Sequence, residues 1–272
     1  MNRLKHIIIF GLLLVITFFF FGCEDDEFGD EFPKQITVFG VSVVGSEKLD
    51  EDKILHAAKV LAQYLDNDED GIADNQIVVD KLVSLNATLV MHEDENDQEN
   101  GPEFMGSEHF QDLMGFETHP EFVSGQNNSE FDATLEEVLH LVSSKGYAEV
   151  YPEIWGETQG SSIANLMDIA RGGHFETIPN EYPESAWYSY RDETCDYGCM
   201  VTEYFYWSLT TFLGAQDYPG RKEEIDEEWK FNTSVELLHV DQAMYDLLFT
   251  DEYKIATVLP DNEYKGFEIY LD

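Results

Sequence analysis

The sequence predicts an α+β fold, mostly helical, formed by a single globular domain with a few strands. Most segments after residue 50 place apolar residues three or four positions apart, the spacing of a helix with one buried face. Only two short runs, 35–44 and 87–91, are rich in β-branched residues, so few strands are expected. Hydrophobic residues make up 43% of the 272 residues, which is enough for a core beneath a polar surface.

The N-terminus has the pattern of an export signal. Two basic residues precede an apolar run, 7–21, which is shorter than a membrane span of about 20 residues. The junction before Cys23 resembles a lipobox, so we expect a lipoprotein signal peptide at 1–22 and lipidation of Cys23. The protein would then be exported and anchored to the bacterial cell envelope, at the outer membrane or cell surface. A plain signal anchor is the alternative.

The chain is strongly acidic. Its formal net charge is −41, and residues 23–34 form an acidic tether before the predicted domain at 35–272. A nucleic-acid partner is excluded, because a phosphate-binding surface needs clustered basic residues. The acids can coat a solvated surface, bind divalent cations, or do both.

Two predicted helices flank the most specific motif of the chain. After a predicted strand at 35–44, residues 50–65 and 76–85 have helical spacing, and the segment 66–77 lies between them. This segment places carboxylates on alternate residues before Gly71, in the pattern DxDxDGxxD. It resembles the calcium loop of an EF-hand, in which oxygen ligands alternate and glycine allows a sharp turn.

The EF-hand resemblance implies a calcium site made of side-chain oxygens and one backbone carbonyl. The implied ligands are Asp66, Asp68, Asp70, Ile72, Asp74 and Asp80. Ile77 occupies loop position twelve, where EF-hands carry a bidentate glutamate, so Asp80 or a distant carboxylate has to complete the shell. We therefore expect a structural calcium site without a conformational switch. A solvated acidic loop without bound calcium is the alternative.

After the strand at 87–91, residues 92–103 are polar and rich in acids, and we expect a loop there. This loop could serve as a lid or a second ion site, or it could simply be solvated. The tail is expected to form two helices, 221–229 and 233–248, with Val235 and Leu238 among the residues that face inward.

The segment 131–146 is predicted to form a helix with an organised polar face. Leu135, Leu139 and Val142 form its apolar stripe, and the acids and His140 fall on the opposite side.

This polar face carries the motif EExxH. It resembles the HExxH motif of zincin metallopeptidases with the first histidine replaced. The resemblance implies that Glu136 and His140 bind a transition metal and that Glu137 activates water. Such a ligand set suits zinc, and also manganese or iron. The alternatives are a solvated acidic face and a capping box, in which Glu137 pairs with Thr134.

A second predicted helix, 200–213, is apolar or aromatic nearly all round, and Glu203 is its only acid. Burial of a carboxylate costs several kcal/mol unless it is paired or coordinated. A metal on the first helix would provide this partner, in the plan of gluzincins. An ion pair with Arg171, Lys145 or Arg191 is the alternative.

Three further residues are singled out between these helices. His174 follows a double glycine after a predicted helix at 161–171, and is a candidate fourth metal ligand. Cys195 and Cys199 are four positions apart, which favours a local disulfide in an exported protein, although two thiolates could instead bind zinc.

Two functions are consistent with these features. The first is a calcium-binding, metal-dependent hydrolase of peptidase type in the cell envelope. The second is a non-catalytic, calcium-stabilised surface module that binds a glycan or a protein, with the aromatic segment at 187–190 as a candidate contact.

Overall fold

The computed structural model describes residues 31–101, 103–122 and 130–271. Their architecture confirms the predicted class, because one helical domain surrounds a small mixed sheet. The predicted signal peptide, the lipidation site Cys23 and most of the acidic tether lie outside the described residues. No helix in the described ranges has the length and apolar character needed to cross a membrane.

Four strands form one sheet in sequence order. They are β1 (Lys34–Val38), β2 (Val41–Gly45), β3 (Thr88–His92) and β4 (Phe110–Met114). The first pair is antiparallel, with Val38 opposite Val41, and the other two pairs are parallel. The helices are α1 (Glu51–Leu65), α2 (Gln76–Ser84), α3 (Glu95–Asn100), α4 (Thr134–Val142), α5 (Ala148–Val150), α6 (Ser162–Ala170), α7 (Tyr197–Leu213), α8 (Arg221–Ile225), α9 (Ser234–Val240) and α10 (Gln242–Leu248).

The single strand predicted at 35–44 is wrong, because the structure forms a hairpin there. Phe39 and Gly40 have φ angles of 51° and 86°, and together they reverse the chain between β1 and β2. Positive φ at both central residues is the requirement of a tight type I′ turn. Gly40 was therefore the signal for a turn within the run of β-branched residues.

The core lies between the sheet and the long helices. Helix α1 packs on β1 and on α4, and α4 in turn contacts β4 and α7. The buried face of α4 includes Leu135, Leu139 and Val142, as its spacing predicted. Helix α4 is thus held between the sheet and α7, and this position brings its polar face towards α7.

Two predicted segments differ in the structure. Residues 92–103 contain α3, because the Asp94 side chain accepts a hydrogen bond from Asp97 N and caps a helix there. The tail is divided at Asp241, which ends α9 and caps α10 through Met244 N. Val235 and Leu238 are exposed on α9, contrary to prediction, because the shorter helix buries Leu237 instead.

The folded domain also begins earlier than the predicted boundary of 35. Phe32 is buried against Val44 and Val90, and β1 starts at Lys34. The end of the predicted tether is therefore part of the sheet's packing.

Candidate metal centres

Helix α4 carries Glu136, Glu137 and His140 near the start of its polar face. Asp132 accepts a hydrogen bond from Thr134 N and so stabilises the first turn. The Thr134 hydroxyl has no hydrogen-bond partner among the described residues, so the predicted capping box with Glu137 does not form. Helix capping therefore does not account for Glu137.

Helix α7 brings Glu203 to the same place. Asp196 caps this helix by accepting from Cys199 N, and Gly214 ends it with a φ of 87°. Glu203 is only 8% exposed, as the apolar surroundings on α7 predicted. In the described ranges its partners are His140 and Tyr190, whose hydroxyl donates to Glu203 Oε1 at 3.2 Å. The cations proposed as alternative partners form no ion pair with Glu203: Arg171, Lys145 and Arg191.

His140 lies between two glutamates. Its Nδ1 is 3.3 Å from Glu137 Oε2, and its Nε2 is 3.7 Å from Glu203 Oε2. The ring is buried, and Nε2 has no hydrogen-bond partner among the described residues. Ligand atoms of Glu136, Glu137 and His140 lie within 4.8 Å of one another. These three side chains, together with Glu203, whose Oε2 faces His140 Nε2, are here called the helix cluster.

The helix cluster brings three carboxyl groups to one imidazole ring. Burial raises the pKa of Glu136 to about 8, and the charge of Glu203 adds to this shift. Burial also raises the pKa of Glu203, which His140 partly offsets. Burial lowers the pKa of His140, but Glu203 and Glu137 outweigh it and raise that pKa to about 10. The raised pKa values mean that Glu136 and His140 hold protons tightly, and a bound divalent cation would take the place of those protons.

Each acidic member of the helix cluster has a hydrogen-bond donor that the sequence did not identify. Gln111 on β4 donates from Nε2 to Glu137 Oε2 at 2.6 Å. Tyr206 hydrogen-bonds to Glu136, and Tyr190 to Glu203. Tyr190 lies in the aromatic segment that was predicted as a candidate ligand contact, Tyr206 lies on the predicted apolar helix, and β4 was not predicted. Only the packing of three elements reveals these donors.

One wall of the helix cluster opens to a cavity of about 290 Å³. His140 and Glu203 line this cavity together with Lys145, Glu157 and Thr202. Burial raises the pKa of Glu157, whose carboxylate accepts a hydrogen bond from the Thr202 hydroxyl at 2.8 Å. We call this space the α4–α7 cavity. It gives solvent and small molecules access to the helix cluster.

The disulfide between Cys195 and Cys199 is confirmed, with the two Cα atoms 5.3 Å apart. Cys199 lies in the first turn of α7 and lines the α4–α7 cavity. The bond therefore fixes the turn of α7 that precedes Glu203.

His174 is engaged elsewhere. Its Nδ1 is 2.8 Å from Asp168 Oδ2, and its ring packs on Tyr197. The other oxygen of Asp168 accepts from buried Arg171 at 2.7 Å. His174 thus belongs to a network that joins α6 to α7, and the structure does not group it with the helix cluster.

The predicted calcium loop forms a second acidic group, which we call the loop cluster. Carboxylate oxygens of Asp66, Asp68 and Asp70 lie within 4.8 Å of one another. Asp66 is fully buried and accepts from Gly71 N at 2.9 Å and from Asp70 N at 3.2 Å. Gly71 has a φ of 86°, and a Cβ there would lie 3.0 Å from the Gly266 carbonyl oxygen. Position six of the loop therefore requires glycine.

The other implied calcium ligands are arranged around the loop cluster. Asp74 Oδ2 accepts from Asn67 N at 2.7 Å, and burial raises the pKa of Asp74. The side chain of Ile72 is an exposed hydrocarbon, so this residue can offer only its backbone carbonyl as a ligand. Asp80 accepts a hydrogen bond from Gln76 at 2.8 Å on the exposed side of α2. Asp80 is not among the described carboxylates whose oxygens lie within 4.8 Å of one another in the loop cluster.

The C-terminal segment covers the loop cluster. The Tyr264 hydroxyl donates to Asp66 Oδ2 at 2.5 Å. Asn67 donates to the Val258 carbonyl at 2.8 Å and accepts from Thr257 N at 2.9 Å. Gln63, one turn before the loop, accepts from the backbone at Asp261 at 3.0 Å. Hydrogen bonds between residues 63–67 and residues 257–264 thus hold the loop in place.

Comparisons with family models, with curated proteins and with solved structures give no match. The fold and the two clusters therefore define the class in structural terms only: an α+β domain with a buried Glu/His cluster between two helices and an Asp-rich loop. The likeness to zincins rests on the EExxH residues, and the likeness to EF-hands rests on residues 66–77.

Proposed function

We propose that this protein is a metal-dependent hydrolase whose reaction centre is the helix cluster. The observation that carries the proposal is the buried Nε2 of His140, which has no hydrogen-bond partner in the described ranges and faces Glu203. A buried polar atom without a partner is costly, and a bound metal would satisfy it. Three surrounding carboxyl groups supply the negative charge that a divalent cation needs.

The metal would be held by Glu136, His140 and Glu203. Two carboxylates and one imidazole suit zinc, manganese or iron better than calcium, which prefers six to eight oxygen ligands. When bound, such a metal supplies a Lewis acid and lowers the pKa of a coordinated water. The α4–α7 cavity, which borders His140 and Glu203, gives substrate and water access to this side of the cluster.

Glu137 has a different part in this arrangement from the one its motif implies. Its carboxylate faces His140 Nδ1 and is fixed by Gln111. A carboxylate on the second ring nitrogen sets the tautomer and orientation of a metal-ligating histidine. Glu137 therefore acts as a positioning residue in this proposal. Glu157, which lines the α4–α7 cavity, is the carboxylate that is placed to accept a proton from water.

Calcium at the loop cluster is a separate, structural part of the proposal. The supporting observations are the closeness of three aspartates and the cover provided by the C-terminal segment. Neutralising Asp66, Asp68 and Asp70 would remove repulsion between like charges at this junction. Because loop position twelve lacks its glutamate, the site is expected to stabilise the junction and not to switch.

Elemental analysis of protein purified without added metal tests the hydrolase proposal. We expect calcium and one transition metal per chain, and a chelator-sensitive hydrolysis of peptide or ester substrates. His140→Ala should remove the transition metal and the activity while calcium stays bound. His174→Ala is the matched control, because this histidine pairs with Asp168, and it should keep both metals.

Calcium alone in the purified protein, with no transition metal taken up on titration, would contradict the hydrolase proposal. That result would instead favour the second function, a calcium-stabilised module that binds a glycan or a protein at the cell surface.

A further inference from the structure

The α4–α7 cavity contains one side chain whose charge the proposed chemistry does not use. Lys145 lines this cavity together with His140 and Glu203. The remaining ionisable groups of the cavity are acidic or belong to the helix cluster. Unlike His140, which faces Glu137 and Glu203, Lys145 has no carboxylate within ion-pair distance among the described residues, and its position in this cavity needs an explanation.

Lys145 makes no ion pair within 4.0 Å among residues 31–101, 103–122 and 130–271. Other lysines of the chain are engaged: Lys48 binds Asp97, Lys222 binds Glu236, and Lys254 binds Asp251. Lys145 only lowers the pKa of Glu157 through space. Its ammonium group is therefore near the cavity without being neutralised by a direct partner.

The local backbone explains how Lys145 reaches the cavity. Helix α4 continues into a π-helical turn, Ser143–Tyr147, which widens the helix by one residue. Ser144 and Lys145 both line the cavity, directly after the turn that carries His140. Such π-helical turns are frequent at functional sites, because they change the direction in which side chains point.

We infer that Lys145 anchors a negatively charged group of the substrate, and that the substrate class is peptides or acylated amino acids with a free carboxylate. The inference rests on the proposed function, since it assigns the substrate of the same centre. The carboxylate would pair with the Lys145 ammonium while the bond to be hydrolysed lies towards His140 and Glu203. A charge-assisted hydrogen bond of this kind provides both affinity and orientation.

The size of the cavity supports recognition of a chain end. Its volume of about 290 Å³ is at the lower limit of small-molecule sites, which span about 300–1,000 Å³. A space of this size accepts one or two residues of a substrate.

The acidic surface does not oppose this inference at short range. Charges on the far side of the domain are screened over about 8 Å at physiological salt. Lys145 acts inside the cavity, where its distance to a bound carboxylate is that of a hydrogen bond. The overall charge of −41 would instead reject anions that cannot reach this residue.

Isothermal titration calorimetry tests the inference on the full chain loaded with Ca²⁺ and Zn²⁺. The probes are acetyl-dialanine with a free carboxylate and the same molecule as its C-terminal amide. We expect the free acid to bind at least about tenfold more tightly, the ratio typical of a charge-assisted hydrogen bond. Lys145→Gln should reduce this ratio to near one, and Lys145→Arg should keep most of it.

Lys59→Gln is the matched control. Lys59 also lacks an ion pair in the described ranges, but it lines a different surface cavity, beside Tyr264. This variant should bind both probes as the unchanged protein does. Equal binding of acid and amide, or no binding of the acid, would overturn the inference. So would a preference for the acid that survives in Lys145→Gln, because the carboxylate would then bind elsewhere.

A hydrolysis assay with the same two probes separates the inference from the proposed function. Lys145-dependent binding of the acid without any hydrolysis would contradict the hydrolase and leave the anion site standing. Hydrolysis of both probes at equal rates, with metal present, would support the hydrolase and overturn the role of Lys145.

Discussion

The loop cluster and the helix cluster are both groups of carboxylates, but they are built in different ways. The loop cluster comes from neighbouring residues, and its buried Asp66 is satisfied by backbone N–H groups of the same loop. The helix cluster is assembled from α4 and α7, and His140 Nε2, which faces Glu203 Oε2 at 3.7 Å, has no hydrogen bond in the described ranges. In the loop cluster the buried carboxylate accepts hydrogen bonds, whereas in the helix cluster the buried His140 Nε2 makes none among the described residues.

This difference shows what each cluster can do. A carboxylate whose oxygens already accept hydrogen bonds from its own loop is pre-organised, and a cation there adds stability with little rearrangement. A buried group without a partner is a cost to the fold, and such costs are concentrated at functional sites. The loop cluster is therefore expected to contribute to stability, and the helix cluster to chemistry.

Removal of the histidine from the helix cluster should have the largest effect on stability. His140→Leu leaves the carboxyl groups of buried Glu203 and half-buried Glu136 without their cation, whereas the side-chain volume changes little. Removing one partner of a buried ion pair costs about 3–5 kcal/mol. Urea unfolding of the chelator-treated protein should show a loss of this size.

The loop cluster offers the comparison for this measurement. Asp68 is exposed, so Asp68→Ala in the same chelator-treated protein should change the free energy of unfolding by no more than about 0.5 kcal/mol. If both substitutions cost the same, the two clusters would not differ as described.

Calcium should have the next largest effect, and it should act only through the loop cluster. Free calcium at about 100 times its Kd stabilises a protein by about 2.7 kcal/mol, which for a domain of this size is a rise in Tm of about 5–10 °C. Differential scanning calorimetry with and without a calcium chelator measures this rise. Asp68→Ala combined with Asp70→Ala should abolish it.

Asp80→Ala sharpens the calcium prediction. Because Asp80 accepts a hydrogen bond from Gln76 and is not grouped with the loop cluster, this variant should retain the full calcium effect. If the unsubstituted protein has the same Tm with and without the chelator, the prediction of a calcium site is wrong.

The last expected effect is a pH dependence that belongs to the helix cluster. The raised pKa values of Glu136, about 8, and His140, about 10, mean that the metal-free folded state holds protons more tightly than the unfolded state. Stability should therefore fall as pH rises from 4.5 through 8 for Glu136 and from 6.5 through 10 for His140. Each proton contributes at most about 1.4 kcal/mol per pH unit.

Urea unfolding of the chelator-treated protein between pH 7 and pH 9 would record this fall. His140→Gln should lack its own share of the slope. Bound zinc should reverse the trend, because a metal takes the place of the protons and its binding is favoured as they leave. A flat profile without metal would contradict the electrostatic account of the helix cluster.

Patterns within one segment predicted much of this fold. Helical spacing located α1, α2, α6 and α7 to within a few residues, because each buries one face or its whole surface. Glu203 was identified by a similar argument, since a single acid on an apolar helix needs a partner. The loop at 66–77 was readable because its residues are consecutive.

Features that depend on packing between segments were not predictable. Tyr190, Tyr206 and Gln111 contact the helix cluster only because the segment before α7, α7 itself and β4 all pack around α4. Nothing in their local sequence distinguishes them from core or surface residues. The hairpin at Gly40 was missed for another reason: one glycine inside a run of β-branched residues can mark a turn or a bulge, and pairing with a second strand decides between them.

The cover on the loop cluster also has a consequence for the order of events during synthesis. Gln63 and Asp261, which are joined by a hydrogen bond, are 198 residues apart in sequence. During synthesis the aspartate-rich loop therefore emerges long before the segment that will shield it. Ribosomes add about 5–20 residues per second, so this interval lasts on the order of ten seconds or more. Asp66 therefore lacks its hydrogen bond from Tyr264 until this later segment has been synthesised.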